Sequence, residues 1–523
     1  PDFMTPRKRR ALKWALGIVV GIVVLIFIAG QFASVYVSKK IQTAIAPAGG
    51  SFDDVDVNLF FRRIAVSEFK LATKADTLKR KSIPTSAYVK KISLEQINIY
   101  QLLIHKRIHI GEVVVADGNI CINPDTFTKD STVAKKDIPI KGISIGAITI
   151  KNLDATLARD SIKQYNGNIN LVVDNIVSKE NAPVGEFRSY AIGQTKGRIN
   201  KLEIYDTKGL YLFKIAAIVA DSDLGTIEMD SLLLLPQKTK YKFAHVAGKQ
   251  IDRINLFIPK VKFRGMRYDQ LRDSVFAASN IIINSAELYS FRDKRVPFRE
   301  TKIKPLPMEA LKGLKFGVEI DSISIANTKI TYEEFPPEGF KSGRVVFENL
   351  NATITNVSNR VYYNKPKFAT LRASAKLMGK GLIQASFYLP IDDSPYRAEG
   401  KIGSMNLSHL NRVLENLAFI SVERGRLNEL YFNFNYTDKS SSGNVMINYA
   451  DLKIKGLKKE KSAEKNDLKT FVINALVKDS KDKNTPAEKR TGDINFERDR
   501  KRQIFNYWWK SLLSGIKGSV LQN

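Results

Sequence analysis

Apolar and polar residues alternate along most of the chain from about residue 51 to residue 404. The first clear run of alternating aliphatic residues is Ile92, Leu94, Ile97 and Ile99. A period of two places apolar side chains on one face of a β-strand and polar side chains on the other. The pairs Asp117-Gly118 and Asn166-Gly167 predict turns between such strands. The pattern therefore predicts a mainly β fold with a long antiparallel sheet.

Similar alternating blocks recur along this region, and they begin near residues 92, 143, 199, 281 and 323. The closest match to Ile143–Ile150, with the sequence ISIGAITI, is the stretch ISIANTKITY over Ile323–Tyr332. The uneven spacing indicates a degenerate β repeat in which each block adds a meander to one growing sheet.

Few helices are predicted to cover the apolar strand faces. Met308–Leu314 predicts one or two helical turns, and Ser408–Ile420 predicts an amphipathic helix with Ser408 as its N-cap. The apolar face of the second helix would carry Leu410, Val413, Leu414 and Leu417. Two short helices cannot bury so large a sheet. The sheet therefore either folds on itself as a sandwich or curls into a trough with an apolar inside.

A trough lined with aliphatic side chains would offer a path for acyl chains. Residues two apart in a strand share a face, so Ile143 and Ile145 form one such pair. A single bulge would reverse this phase. The candidate lining residues are Ile143, Ile145, Ile148, Ile150, Ile323 and Ile325.

The pattern changes again after residue 420. Val422–Tyr436 and Gly443–Ile454 predict paired strands, and Leu468–Val477 predicts a helix. The segments Lys455–Lys465 and Lys478–Arg490 are dense in charge and predict loops.

The last segment, Arg498–Val520, predicts a helix with one aromatic and aliphatic face and cations around it. Trp residues flanked by cations are typical of a helix lying in a membrane interface, but an ordinary helix that caps the end of a β core has the same composition. Both interpretations remain open. The candidate membrane-interface residues are Phe505, Trp508, Trp509, Leu512 and Ile516.

Near the other end, Trp14–Ala33 is an uncharged apolar run long enough to cross a bilayer. The basic segment Arg7–Lys13 precedes it and predicts a cytoplasmic N-terminus with the bulk of the chain across the membrane. A cleavable signal peptide would have a shorter apolar core and a small-residue cleavage site. A buried core helix would show a polar stripe. Ser38–Ala46 then predicts a short helix or stalk.

The composition adds a strong positive charge and almost no cysteine. Lys and Arg outnumber Asp and Glu by 83 to 53 in 523 residues, a formal charge of +30. The charge is spread along the chain without a zinc or helix-turn-helix signature, so anionic lipid headgroups are a better partner than nucleic acid. A basic surface that only aids solubility explains the charge equally well. With Cys121 as the one cysteine, no disulfide framework is predicted.

No catalytic motif is found in the sequence, and we expect neither an enzyme nor a cofactor. His105 and His109 are four apart without a third ligand nearby, which argues against a metal site. The chain has no phosphate-binding loop, nucleophile elbow or dinucleotide fingerprint. Cys121 lies in alternating strand sequence and is expected to be an inert buried thiol.

The basic N-terminus, the single apolar run and the long alternating region resemble the AsmA-like proteins of bacterial envelopes, including the DUF748-type members. The more specific similarity is in the C-terminal third. It is carried by Met405-Asn406-Leu407, Leu410-Asn411, Gly425-Arg426-Leu427, Gly443, Tyr449-Ala450-Asp451-Leu452 and the closing segment FNYWWKSLLSGIKGSV over Phe505–Val520.

The resemblance implies a single-pass inner-membrane protein whose periplasmic part is a taco-shaped β-groove related to bridge-like lipid transfer proteins. Such a protein would conduct phospholipids between envelope membranes and support outer-membrane integrity, with other envelope proteins as further partners at its C-terminal end. The alternative is an envelope-assembly scaffold that binds outer-membrane protein clients through exposed strand edges. The implied regions are an anchor at 1–37, a stalk at 38–50, the repeated β-groove at 51–404 and the AsmA-like C-terminal region at 405–523.

Overall fold

The computed structural model describes residues 29–46, 49–72, 83–123, 142–159, 162–178, 190–360, 367–457 and 490–520. The protein is mainly β, as the alternation predicts. It divides into two compact units, the first formed by Pro1–Thr207 with Ile215–Leu224 and the second by Lys208–Lys214 with Gly225–Asn523. The predicted helix Leu468–Val477 lies outside the described residues, as do most of the two charged loops that flank it.

The predicted membrane span Trp14–Ala33 lies outside the described residues except for its last five positions. Within the part of the chain that the structure describes, no helix is both long enough and apolar enough to cross a membrane. The first described helix, α1, covers residues 29–45 and includes most of the predicted stalk. Ser34 Oγ accepts a hydrogen bond of 2.8 Å from the backbone N of Val57, so the start of α1 is joined to the first long hairpin.

Unit 1 contains strands β1 to β9, α1 and the short helix α2, Ile99–Leu103. The strands are β1 Gly50–Ser51, β2 Asp54–Asn58, β3 Arg63–Ala72, β4 Ser86–Glu95, β5 Arg107–Ile122, β6 Gly142–Arg159, β7 Ile162–Ser178, β8 Tyr190–Ala191 and β9 Thr195–Tyr205. The alternating run that begins at Ile92 stops at the end of β4, and Ile99 starts α2 rather than continuing a strand. The division between the units runs through β10, Tyr211–Asp221.

Unit 2 contains the remaining strands and most of the helices. The strands are β11 Thr226–Pro236, β12 Asp252–Arg264, β13 Val275–Asn284, β14 Glu287–Asp293, β15 Gly317–Phe335, β16 Gly343–Ser358, β17 Phe368–Leu377, β18 Gly381–Pro390, β19 Tyr396–Ile402, β20 Met405–Asn406, β21 Ile420–Tyr436, β22 Ser440–Gly456 and β23 Arg490–Glu497. The helices are α3 Lys242–Ala247, α4 Pro307–Lys312, α5 Asn411–Leu417 and α6 Ile504–Val520, with 3-10 turns at Tyr268–Asp273 and Leu407–Leu410. The predicted helical turns at 308–314, the paired strands after residue 420 and the closing helix are confirmed.

The expectation of a purely antiparallel sheet is wrong, because both units contain parallel pairs. In unit 1, β5 runs parallel to β6. In unit 2, β13 and β14 both run parallel to β15. A parallel pair needs a crossover of about a dozen or more residues. The segment between β14 and β15 supplies one and contains α4.

The predicted turns at Asp117-Gly118 and Asn166-Gly167 are also wrong, because both pairs lie inside long strands. Asp117 has a φ of 54°, a left-handed conformation that Asp and Asn adopt more readily than other non-glycine residues. Left-handed residues also interrupt other long strands, at Glu68, Asn152, Asn175, Lys201, Ser231, Asn327, Asn349, Asn356 and Asp451. The polar and glycine signals therefore mark kinks within strands as well as turns between them.

These interruptions reverse the alternation of faces. Ser231 has a φ of 51° and lies between Met229 and Leu232, which both pack against one core cluster although they are three residues apart. On the neighbouring strand, Ile258 and Val261 also belong to that cluster. In a regular strand, residues three apart lie on opposite faces. The kink thus keeps aliphatic residues of both phases on the same face.

The largest core lies in the C-terminal part of unit 2. It joins buried residues of β17 to β23 with α4 and α6, and its members include Phe432, Phe434, Tyr436, Val445 and Ile494. On β21 these buried residues alternate with exposed polar ones, which is the pattern of a sheet packed on one face only.

The predicted amphipathic helix at Ser408–Ile420 is shorter than expected, and Ser408 is not its N-cap. A 3-10 turn over Leu407–Leu410 comes first, and α5 follows it. The turn is capped by the side chain of Asn406, which accepts a hydrogen bond of 3.0 Å from the backbone N of Ser408. The Asn side chain takes the capping role because it lies one residue before the first turn.

Candidate functional site

Four of the six predicted groove residues lie on β6 in unit 1. Ile145 is paired with Ile110 of β5 and with Ile176 of β7, so aliphatic residues stand side by side across three strands. Ile148 is paired with Val113 in the same way. Ile145 and Ile148 thus each belong to a row of aliphatic residues across three strands, and we call the aliphatic residues of β6 and their partners the unit 1 aliphatic face. Its β6 residues are Ile143, Ile145, Ile148 and Ile150.

These two isoleucine pairs differ in phase, because Ile145 and Ile148 are three residues apart. The pairing of β6 with β7 is interrupted between them at Gly146, which lies opposite the left-handed Asn175. A second interruption follows at Asn152, after which Leu153 is buried. The aliphatic positions change phase at each of these two places.

The unit 1 aliphatic face is only partly covered by the described residues. All four isoleucines of β6 are half-buried, whereas the aliphatic residues of the unit 2 core are almost fully buried. Both hydrophobic core clusters found among the described residues consist of unit 2 residues. Ile110 and Leu153 of unit 1 are buried, at 8% and 5% exposure, whereas the four isoleucines of β6 keep partial exposure.

The other two predicted groove residues lie on β15 in unit 2. Ile323 packs against the cluster formed by Val261, Ile281, Val318 and Ile320. Ile325 is paired with Ala352, and the row continues across the sheet through small residues at Ala373, Ala385 and Gly400. The structure therefore places Ile323 in a packed environment, and it places Ile325 at the start of a row with little side-chain volume.

A pair of asparagines recurs in the two units and supports the repeat predicted from the sequence. In unit 1, the backbone N of Asn152 donates a hydrogen bond of 2.9 Å to Oδ1 of Asn170 on the next strand. In unit 2, the backbone N of Asn327 donates one of 3.1 Å to Oδ1 of Asn351. Asn152 and Asn327 are both left-handed, with φ of 50° and 48°. The blocks that begin at Ile143 and Ile323 thus repeat in geometry as well as in sequence.

Helix α6 divides the five predicted membrane-interface residues into two groups. Trp508, Leu512 and Ile516 pack against the unit 2 core, and Trp508 stacks on Phe387 with ring centroids 4.1 Å apart. Phe505 and Trp509 point outward and are 74% and 54% exposed.

The most deeply buried positions of α6 were not among the predicted residues. They are Tyr507, Ser511, Gly515 and Ser519, spaced four apart along the helix. Ser511 Oγ lies 2.7 Å from Ser441 Oγ of β22, so a buried hydroxyl pair joins helix and strand. The sequence signal for this contact is a stripe of small residues rather than a stripe of large apolar ones.

A buried carboxylate in unit 2 was also missed from the sequence. The side chain of Glu333 is 2% exposed, and it accepts hydrogen bonds of 2.6 Å from Lys240 Nζ, 2.6 Å from Tyr289 OH and 2.9 Å from Arg344 Nη2. Ser342 Oγ also donates to it. Burial alone would raise the pKa of Glu333, but these hydrogen bonds outweigh it and lower the pKa to about 2. Two cations and two hydroxyl groups satisfy the carboxylate, as expected for a group that anchors strands β14 to β16.

The two histidines considered as metal ligands are separated by secondary structure. His105 follows α2 and its ring meets that of Tyr100 edge-on at 5.4 Å, whereas His109 lies in β5. Cys121 also lies in β5, where it is half-buried rather than fully buried as expected.

A concavity in unit 2 lies on the polar side of the sheet, and its lining includes Ile325, one of the predicted groove residues. It has a volume of about 940 Å³ and crosses strands β15 to β19 and β21 to β23. Its lining includes Arg372, Gln384, Tyr431, Asn433 and Asn444. On β21 these positions alternate with the buried Phe432 and Phe434, so the concavity and the core lie on opposite faces.

No family model matches this chain, and a search of curated proteins found no match.

Proposed function

We propose that the protein is an AsmA-like, inner-membrane-anchored groove protein that conducts phospholipids between the membranes of a bacterial envelope. The observation that carries the proposal is the unit 1 aliphatic face, whose isoleucines are half-buried and belong to neither core cluster. Aliphatic surface left in water forgoes about 25 cal/mol per Å² of stabilisation. An acyl chain lying along the face would recover that free energy.

The interruptions within the strands support a continuous path. A regular strand would turn Ile148 to the face opposite Ile145. The kinks of unit 2 return residues of opposite phase to one face, as Met229 and Leu232 demonstrate. If the break at Gly146 acts in the same way, the whole set from Ile143 to Ile150 lines one side. An acyl chain packs favourably against a row of branched aliphatic side chains, whereas packing against a polar surface would remove water from polar groups at a cost in free energy.

The start of the described chain supports an anchor. Phe32, Val35 and Tyr36 on α1 are 75%, 71% and 65% exposed, which is unfavourable in water and favourable beside lipid. The contact between Ser34 and Val57 then holds the helix against unit 1. In the proposal, α1 continues the apolar run from Trp14 and delivers lipid to the beginning of the groove from the membrane.

The experiment places a photo-crosslinking amino acid at Ile145 or at Ser144 in the full chain expressed in a bacterial cell. These neighbours lie on one strand, and they point to opposite faces. We expect phospholipid adducts at position 145 and few at position 144. Adducts to outer-membrane proteins at position 145, without lipid adducts, would contradict lipid transport and favour the envelope-assembly scaffold.

A further inference from the structure

The concavity on the polar face of unit 2 is lined by exposed amide and hydroxyl side chains. Gln384, Asn433, Asn444 and Thr491 line it, and none of these side chains forms a hydrogen bond with another described residue. Elsewhere on this unit, polar side chains pair with each other, as Asn428 does with Asn448 at 2.9 Å. Each side-chain amide offers two donors and one acceptor with two lone pairs. The concavity therefore presents paired donors and acceptors to whatever enters it.

The charged residues of the concavity leave a positive excess. Arg372 and Lys401 line it, and within the described ranges neither forms an ion pair. The one lining carboxylate, Glu399, is already engaged by Arg397 at 2.6 Å and by Tyr388 OH at 2.9 Å. Arg372 and Lys401 lie on β17 and β19 with one strand between them, and Lys401 is two residues further along the sheet than the row that joins Arg372, Ser386 and Glu399. An anionic ligand with repeated charges complements two separate cations.

One aromatic ring is exposed in the concavity. Tyr431 is 38% exposed, and its OH donates to Glu429 at 3.1 Å, which leaves the ring face available. Phe432, the other aromatic lining residue, belongs to the core on the opposite side. A single ring differs from the successive stacking platforms that single-stranded nucleic acids require. The polar lining also disfavours an acyl chain.

We propose that this concavity binds an acidic glycan, a chain of sugar units that carry carboxylate or phosphate groups. The amides of Asn433 and Asn444 bond the ring hydroxyls, which are donors and acceptors at once. Arg372 and Lys401 bind the anionic groups, and the apolar face of one sugar lies on Tyr431. The site lies on the face opposite the core and does not depend on the unit 1 aliphatic face that carries the lipid proposal.

The test measures binding by calorimetry, with the full chain in a detergent that has no sugar headgroup. The probes are oligogalacturonate as the acidic glycan, dextran as a neutral glycan and poly(A) as a polyanion of the nucleic-acid class. We expect oligogalacturonate to bind, and both dextran and poly(A) to bind at least about tenfold more weakly, because each leaves part of the site unmatched.

The double variant N433D/N444D replaces two amides with carboxylates of the same shape. It should weaken oligogalacturonate binding by about tenfold or more, through lost donors and charge repulsion. The matched control is Asn435→Asp, two residues along the same face of β21 and outside the lining, which should bind as the parent chain does. If the double variant unfolds, Lys401→Gln replaces it, since that exposed side chain has no described partner. Unchanged binding in a folded variant, absence of binding, or equal binding of poly(A) would overturn the proposal.

Discussion

Helix α6 is pressed against the sheet so closely that one added methyl group should separate the two. A Cβ at Gly515 would lie 2.7 Å from Val445 Cγ2 and 2.8 Å from Ile494 Cγ1. Both neighbours are almost fully buried, at 0% and 2% exposure, so neither side chain has space to move away. The same helix contains a matched control, because a Cβ at Gly518 would meet nothing closer than Gly492 Cα at 3.6 Å.

The two substitutions should have opposite signs. Replacing Gly by Ala within a helix stabilises it by up to about 1 kcal/mol in the absence of other contacts. Overpacking a well-ordered core costs about 1–3 kcal/mol. Gly515→Ala should therefore destabilise the contact between α6 and the sheet by about 1–2 kcal/mol, whereas Gly518→Ala should leave it unchanged or slightly more stable.

Hydrogen exchange of the α6 amides measures this difference locally, which matters because a chain with two units need not unfold in one step. We expect exchange in Gly515→Ala to be about tenfold faster than in the parent chain, since about 1.4 kcal/mol corresponds to a factor of ten. Exchange in Gly518→Ala should be equal or slower. Slower exchange in both variants would refute the close packing of α6 on β22 and β23.

Three further predictions concern the fold of the two units. The hydrogen bonds to Glu333 lower its pKa to about 2, so its ionised form contributes up to about 3 kcal/mol to the free energy of unfolding above pH 4.5. This contribution is lost as the pH falls toward 2, and urea unfolding should show the loss in the parent chain and not in Glu333→Gln. Asn351→Ala removes the acceptor for the backbone N of Asn327 and should lower the free energy of unfolding by about 1–2 kcal/mol, and Asn170→Ala should have a similar effect in unit 1. If either variant is as stable in urea as the parent chain, these side chains do not have the role described. Trp508→Ala should lower the stability by about 3 kcal/mol or more and Phe505→Ala by less than about 1 kcal/mol, because Trp508 packs on the core and Phe505 is exposed. Thermal unfolding measures both losses, and equal losses would contradict the division of α6 into an inner and an outer face.

The period-two alternation predicted the β class because a strand that is buried on one face alternates apolar and polar residues in sequence. It located the paired strands after residue 420 for the same reason, whereas the closing helix was predicted from apolar residues spaced three and four apart. It failed at Asp117-Gly118 and Asn166-Gly167, since residues that favour positive φ serve kinks inside strands as well as turns. The parallel pairs could not be predicted, because strand direction depends on where a crossover returns the chain.

The candidate residues were predictable to a different extent. The isoleucines of β6 stand out in the sequence because they are large and form two alternating pairs, and the structure pairs Ile145, Ile148 and Ile150 with aliphatic residues of both neighbouring strands. The contact stripe of α6 was missed because its signal is the small size of Ser511 and Gly515, whereas a search for apolar residues selects Phe505 and Trp509. The Glu333 cluster joins residues up to 93 positions apart, so local sequence patterns do not contain it.

The most direct test of the lipid-conducting groove is transfer of a fluorescent phospholipid between vesicles by the purified full chain, with Ile145→Asp compared with Ser144→Asp. The half-buried position of residue 145 should let the aspartate remain hydrated, so both variants should fold with similar thermal unfolding. The account predicts that Ile145→Asp abolishes transfer, because it places a charge in the acyl path, and that Ser144→Asp transfers lipid at the parent rate. Normal transfer by a folded Ile145→Asp, or unfolding of that variant as if it belonged to a closed core, would contradict the open aliphatic groove.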